Sequence, residues 1–299
     1  MKFFIFYIFI MACLVMSPCM EAIANPLPGD PALDLKRAES YFRVNEYERA
    51  LHFFEKAASA FKVQESWKDY TRTIAGQAYT LAKVRKYNEA KILLDEVLSG
   101  VTGKVGKSEE VAMVYYVYGV LLDYTNKPEE SLSMHHKALD IRKSWFGEIH
   151  VLVSESYNGI GEVYRYTLRD YIEAEKYFKL SAQVLEHMPG ETEKDLYRAY
   201  FNLATTNRLM NDFERALGYA FKAAKVLQLI TPLDMNSFIK CQVIIANIYY
   251  DVEAYETAIR YYRKALSLRL ERKDVSSETA RDYTNLSQAY NRTSNFLNA

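Results

Sequence analysis

Cysteine is nearly absent from this 299-residue chain: there are three, Cys13, Cys19 and Cys241. The first two fall at the N-terminus, so Cys241 is the one thiol of the main body and packing rather than an internal disulfide must hold it together. Glycine and proline are also scarce, at 11 and 7, which leaves room for long uninterrupted helices. Net charge is missing: 38 Lys and Arg balance 38 Asp and Glu. A general nucleic-acid or anionic-membrane binder is usually basic, so no nucleic-acid partner is expected. No phosphate-cradling glycine loop, serine elbow or paired His-Glu helix motif occurs. No catalytic residue, cofactor or metal is therefore expected, and the chain does not read as an enzyme.

The first residues read as a targeting segment. Lys2 precedes an apolar run from Phe3 to Met16, and Ala22-Ile23-Ala24 closes it in the small-x-small pattern of a signal-peptidase site. The run is short for a membrane span. Residues 1–24 are expected to direct export to the periplasm or exterior, with no stable membrane insertion after cleavage near Ala24. A retained anchor, or lipid attachment at Cys13 or Cys19, stays open. Residues 25–31, with Pro26, Pro28 and Gly29, form a leader that no helix would tolerate.

What the chain has in plenty is tyrosine, 25 in all, much of it in one recurring phrase. Tyr47-Glu48-Arg49-Ala50 returns as Tyr87-Asn88-Glu89-Ala90, Tyr171-Ile172-Glu173-Ala174, Phe213-Glu214-Arg215-Ala216 and Tyr255-Glu256-Thr257-Ala258. A weaker copy, Pro128-Glu129-Glu130-Ser131, fills the one gap. The six small anchors are separated by 40 to 43 residues, so one supersecondary unit is repeated. Apolar residues three, four and seven places after Ala216 make a helical stripe. Twelve places before the anchor a second small residue marks another helix: Ala38, Ala78, Gly119, Ala204 and Ala246, with Gly161 displaced by one in the fourth unit. Such a residue lets two helices of a pair approach closely. Four places after the anchor stand Phe54, Leu94, His135, Phe178, Ala220 and Tyr262, and seven after it Ala57, Val97, Ala138, Ser181, Ala223 and Ala265. Large against small at a fixed offset makes room for the next unit.

The pattern Ala246, Tyr249, Tyr255, Ala258, Tyr262, Ala265 resembles the tetratricopeptide repeat. With Ala138-Leu139-Asp140-Ile141, Phe146-Gly147-Glu148-Ile149-His150 and Asn158-Gly159-Ile160-Gly161 it is similar to the kinesin-light-chain-like variant, whose units are of about this length. The resemblance implies an all-α fold: a right-handed α-solenoid of antiparallel helix pairs over residues 32–299, in six units and a truncated seventh. The last is read from Ala280 to Tyr290 as a first helix, with Ser287 in the small position, and from Phe296 to Ala299 as the opening of a second. The chain thus stops on its seventh anchor, which suggests the front of a longer protein and leaves an apolar end open to self-association.

First helices of such a stack line its concave face. Counting from the small marker places Asn158, Arg165, Arg198, Asn202, Arg208, Lys240, Asn247, Arg281 and Asn285 in the groove, with Glu155, Glu162 and Asn291 beside them. Asparagine amides can hold an extended peptide by its backbone, and the resemblance implies that role for Asn202 and Asn285. Arginine and lysine would favour acidic side chains or a terminal carboxylate. Adjacent His135 and His136 point about 100° apart on a helix and cannot share a metal; His135 falls where other units place Phe or Tyr, so it should be packed in the core. Cys241 should be a buried, inert thiol. Asn285-Leu286-Ser287 and Asn291-Arg292-Thr293 match glycosylation acceptors but fall on an expected helix. The leading expectation is a non-catalytic scaffold that binds a peptide or protein segment. The alternative is the sensory or substrate-recruiting front of a larger protein with a caspase-like protease or kinase domain elsewhere.

Overall fold

The computed structural model describes residues 30–188, 192–274 and 276–297. The signal segment, most of the leader, the break at Pro189-Gly190 and the seventh anchor, Ala299, lie outside the described residues. Fourteen α-helices follow one another, and among the described residues there is no strand. They form antiparallel pairs: α1 Pro31–Arg43 with α2 Tyr47–Val63, α3 Trp67–Lys83 with α4 Tyr87–Gly100, α6 Glu109–Tyr124 with α7 Pro128–Phe146, α8 Val151–Val163 with α9 Tyr171–Glu186, α10 Glu193–Leu209 with α11 Phe213–Leu227, and α12 Met235–Asp251 with α13 Tyr255–Glu271. A single turn, α5 Thr102–Val105, bridges the second and third pairs, and α14 Ser277–Leu297 follows the sixth. Each helix packs on its sequence neighbours and on the next pair, the arrangement of an α-solenoid.

The repeat phrase works as the sequence suggests. All six anchors, from Ala50 to Ala258, are buried, as are the markers of the first helices. The exceptional anchor Ser131 is satisfied locally: its hydroxyl donates to the Gly119 carbonyl at 2.8 Å, from anchor to marker. The large side chain four places after the anchor lies against a glycine where it needs one. Phe54 packs over Gly76, Phe178 over Gly161, and His135 between Gly119 and Gly159. A Cβ at Gly161 would stand 2.7 Å from the Phe178 ring, which is fully buried and cannot swing away. Gly161→Ala is therefore expected to destabilise by about 1–3 kcal/mol through overpacking. Gly218→Ala, in α11 with nothing within 4 Å of the added carbon, is expected to stabilise by about 0.5–1 kcal/mol. Urea midpoints of the two variants should move in opposite directions.

Each pair is closed by a residue that the sequence does not flag. Five places before the anchor stand Asn45, Arg85, Asn126, Arg169, Asn211 and Glu253, all with φ between 58° and 64°. The next amide bonds back across the turn, as from Glu46 to the Tyr41 carbonyl and from Ala254 to the Tyr249 carbonyl. This is a left-handed helix stop made without glycine. Ser294, five before Ala299, stays helical inside α14. The expected break before Phe296 is thus absent, and Ser287 is exposed with no second helix opposite it among the described residues.

The displaced marker of the fourth unit also has a cause. Between Gly161 and Ala174 the helix opens into a π turn, Tyr164–Leu168, which absorbs one extra residue. The Asp170 amide then bonds to the Tyr164 carbonyl at 2.8 Å and the chain re-enters the common register.

Candidate functional site

Successive first helices share one face, and between α3, α6, α8 and α10 it closes around a cavity of about 210 Å³. Tyr79 and Lys83 come from α3, Tyr116, Asp123 and Tyr124 from α6, Asn158 and Glu162 from α8, and Arg198 from α10, while His135 of α7 forms part of the floor. Their common origin is the repeat: Tyr79, Val120 and Glu162 each follow their unit's marker by one residue, and Lys83 and Tyr124 by five.

The Lys83 ammonium donates to the Tyr124 hydroxyl at 2.9 Å and lies 4.9 Å from the centre of the Tyr79 ring. Burial works to lower its pKa, but the two phenols outweigh this and the ammonium is held more firmly protonated than usual. Asp123 accepts a hydrogen bond from Thr167 of the π turn. Burial raises its carboxyl, with the Thr167 bond working against it. Tyr116 is pushed well above the usual phenol range by burial, with Glu155 and Glu162 adding to the effect. Arg198 donates to Asp195 at 2.9 Å. Burial disfavours its charge, but Tyr116, Asp195, Glu155 and Glu162 together raise its pKa.

The nine groove residues are placed differently from one another. Asn158 and Asn202 are buried and bonded to each other: Asn202 donates from Nδ2 to Asn158 Oδ1 at 2.8 Å, and Asn158 donates to Glu162 Oε1 at 2.9 Å. Arg165 is buried in the π turn. It donates to Thr205 Oγ1, the Asn202 carbonyl and the Tyr166 hydroxyl, with its guanidinium over Phe178; burial lowers its pKa. Arg208 makes a two-bond ion pair with Asp251 on α12 and lines a second, more open cleft of about 490 Å³ with Tyr250, Tyr255 and Arg292. Asn247 accepts from the Tyr262 hydroxyl at 2.6 Å. Lys240 and Arg281 are exposed and, among the described residues, make no ion pair; Asn285 is half-buried. Arg198, Asn158 and Asn202 are thus brought together, while Lys240, Asn247, Arg281 and Asn285 continue along the later first helices.

His135 is 1% exposed, beside the Tyr116 ring, and Cys241 is fully buried. Burial pushes the Cys241 thiol up to about 12, far from a reactive thiolate. Among the described residues no group of His, Cys, Asp and Glu could hold a metal ion, and no helix is long and apolar enough to cross a membrane.

The class defined by this geometry is an α-solenoid whose first helices present a polar inner face. Family profiles described as tetratricopeptide repeat match residues 152–228 and 243–276. Over those two stretches the chain carries tetratricopeptide repeats. No curated protein sequence matches it. Among solved structures it is similar to the apo form of RapI, at 15% identity over 89% of this chain and 72% of that one, with TM-score 0.69. A Rap protein complexed with Competence and Sporulation Factor gives 15% identity over 90% and 78%, TM-score 0.64. A putative kinesin light chain from Podosopora anserina, with nearly identical tetratricopeptide-like repeats, gives 12% identity over 67% and 95%, TM-score 0.57. At such identities the likeness is one of fold.

Proposed function

We propose that the chain is a non-catalytic interaction scaffold that holds a segment of a partner protein or peptide along the shared face of its first helices. The observation that carries this reading is the cavity itself: four successive first helices each send charged or hydrogen-bonding side chains into it. A solenoid that only had to fold would leave this face to solvent. The Rap neighbour complexed with Competence and Sporulation Factor supports the reading, since a chain of similar fold forms a complex with a partner. The favoured partner is acidic. Six places before the marker, the last three first helices carry Arg198, Lys240 and Arg281 in one column, and the latter two form no ion pair among the described residues. The chain is read as acting after export, on the strength of Lys2, the apolar run and Ala22-Ile23-Ala24; fractionation of the protein with the cytoplasm of its host would refute that part.

Peptides selected from a displayed random library test the binding reading. They should be enriched in Asp and Glu, and the double substitution Lys240→Glu with Arg281→Glu should weaken them about tenfold or more, as lost charge-assisted bonds do. Both positions are exposed, so the fold should be unaffected. Undiminished binding by that variant would count against the groove.

A further inference from the structure

Resting on the same inner face, the geometry points to a narrower site within it: we propose that the α3–α6–α8–α10 cavity receives a zwitterion the size of one amino acid. Its carboxylate would lie toward Lys83 and Arg198 and its ammonium or guanidinium toward Asp123 and Glu162.

Two basic and two acidic side chains face a space of about 210 Å³, yet no two of them form an ion pair with each other. Lys83 is held by a phenol rather than a carboxylate. The Arg198 ion pair goes outward, to Asp195 on its own helix. Asp123 meets the Thr167 hydroxyl and Glu162 the Asn158 amide; Glu162 feels Arg198 and Arg165 through space, but neither carboxylate forms an ion pair among the described residues. Opposite charges left apart in a partly buried space normally close on each other, because desolvation is otherwise uncompensated. Here rigid helices hold two cations and two carboxylates around a gap, a pattern complementary to a ligand that carries both signs.

Two neutral groups point the same way. The Tyr116 hydroxyl makes no hydrogen bond among the described residues, and its half-buried ring lines the cavity beside His135. His135 Nδ1 is fully buried and also without a partner. Buried polar atoms are nearly always satisfied, so such exceptions mark a place where a bound molecule completes the bonding. The volume sets the size. It is below the roughly 300 Å³ at which drug-sized pockets begin and suits one residue rather than a folded element. The ligand chemistry could come from a free α-amino acid or from a terminal peptide residue whose side chain supplies the second charge.

The test uses the full chain and needs no substitution at first. The twenty free α-amino acids, and dipeptides bearing acidic N-terminal or basic C-terminal residues, are titrated at millimolar concentration and followed by calorimetry. At least one should bind; for a free amino acid both the N-acetyl derivative and the methyl ester should bind about tenfold or more weakly, and for a dipeptide the derivative that neutralises the terminus of the seated residue, since each removes one charge-assisted contact. Lys83→Met and Asp123→Asn should each reproduce the matching loss, whereas Arg260→Met on the outer helix α13 should not. Binding of free amino acids identifies one source and binding of dipeptides alone the other. No binding of either, or binding indifferent to acetylation and esterification, overturns the proposal. These outcomes are independent of the displayed-peptide result, which depends on Lys240 and Arg281 outside the cavity.

Discussion

Arg269→Leu is expected to detach α14 from the array. Arg269 is 7% exposed; its Nε donates to Asp282 Oδ2 at 2.7 Å and its Nη1 to Asp274 Oδ2 at 2.9 Å. Asp282 is 1% exposed, and burial raises its carboxyl even with Arg269 beside it. Removing the arginine alone leaves that carboxylate buried without its counter-ion, a loss of about 3–5 kcal/mol. In a solenoid the loss falls on one interface, so amide hydrogen exchange should lose protection across 277–297 while α8 to α11 keep theirs. The repeat supplies its own control. Arg269 stands eleven places after its anchor, where other units carry Phe61, Val101, Leu185 and Leu227; Asp282 stands where they carry Thr73, Val114, Ala199 and Cys241. All of these are buried. The double variant Arg269→Leu with Asp282→Ala copies the Leu185 and Ala199 pair and should recover most of the protection. If it is no better than the single variant, the ion pair is not what holds α14.

His135→Phe is expected to flatten the acid limb of the stability curve. His135 is pushed down to about 3 by burial, with Arg142 and His136 adding to the effect. An unfolded histidine titrates near 6.5, so between these values the unfolded chain binds one proton more than the folded chain. Stability is fully present above pH 6.5 and falls by about 1.4 kcal/mol per pH unit below it. From pH 7.5 to 5 this amounts to about 2 kcal/mol. Phenylalanine fills the same register in α2 and α9, each time against a glycine, and cannot take up the proton. Urea midpoints across that range should show the wild type falling and the variant much less affected. Parallel curves would mean that another group governs the acid limb.

Much of the fold was legible because burial recurs at a fixed offset. The anchors, the markers and the residue four places on, large in every unit but the fifth, are buried in all six units, and each can be counted from the sequence. The turns were not legible, because Asn, Arg and Glu carry the left-handed position that glycine would have advertised. The arginines at 142 and 269 were missed for a related reason. Charge reads as solvated surface, and only comparison with Phe61 or Leu227 at the same register reveals a core position. Arg142, 1% exposed, bonds to Glu109, Glu155, Ser156 and the Leu152 carbonyl, tying three helices. The site was half legible. The asparagine pair and Arg198 lie where the count puts them, but Asn158 and Asn202 face each other. Lys83, Tyr116 and Asp123 belong to the second and third units, whose groove positions carry no asparagine to draw the eye.

The π turn at Tyr164–Leu168 acts on the array as a dislocation acts on a crystal. One extra residue would rotate everything after it by about 100° around the helix; the bulge confines that misfit to five residues. The array beyond the bulge therefore keeps the phase of the array before it, and the cost of the extra residue stays local to the junction of α8 and α9.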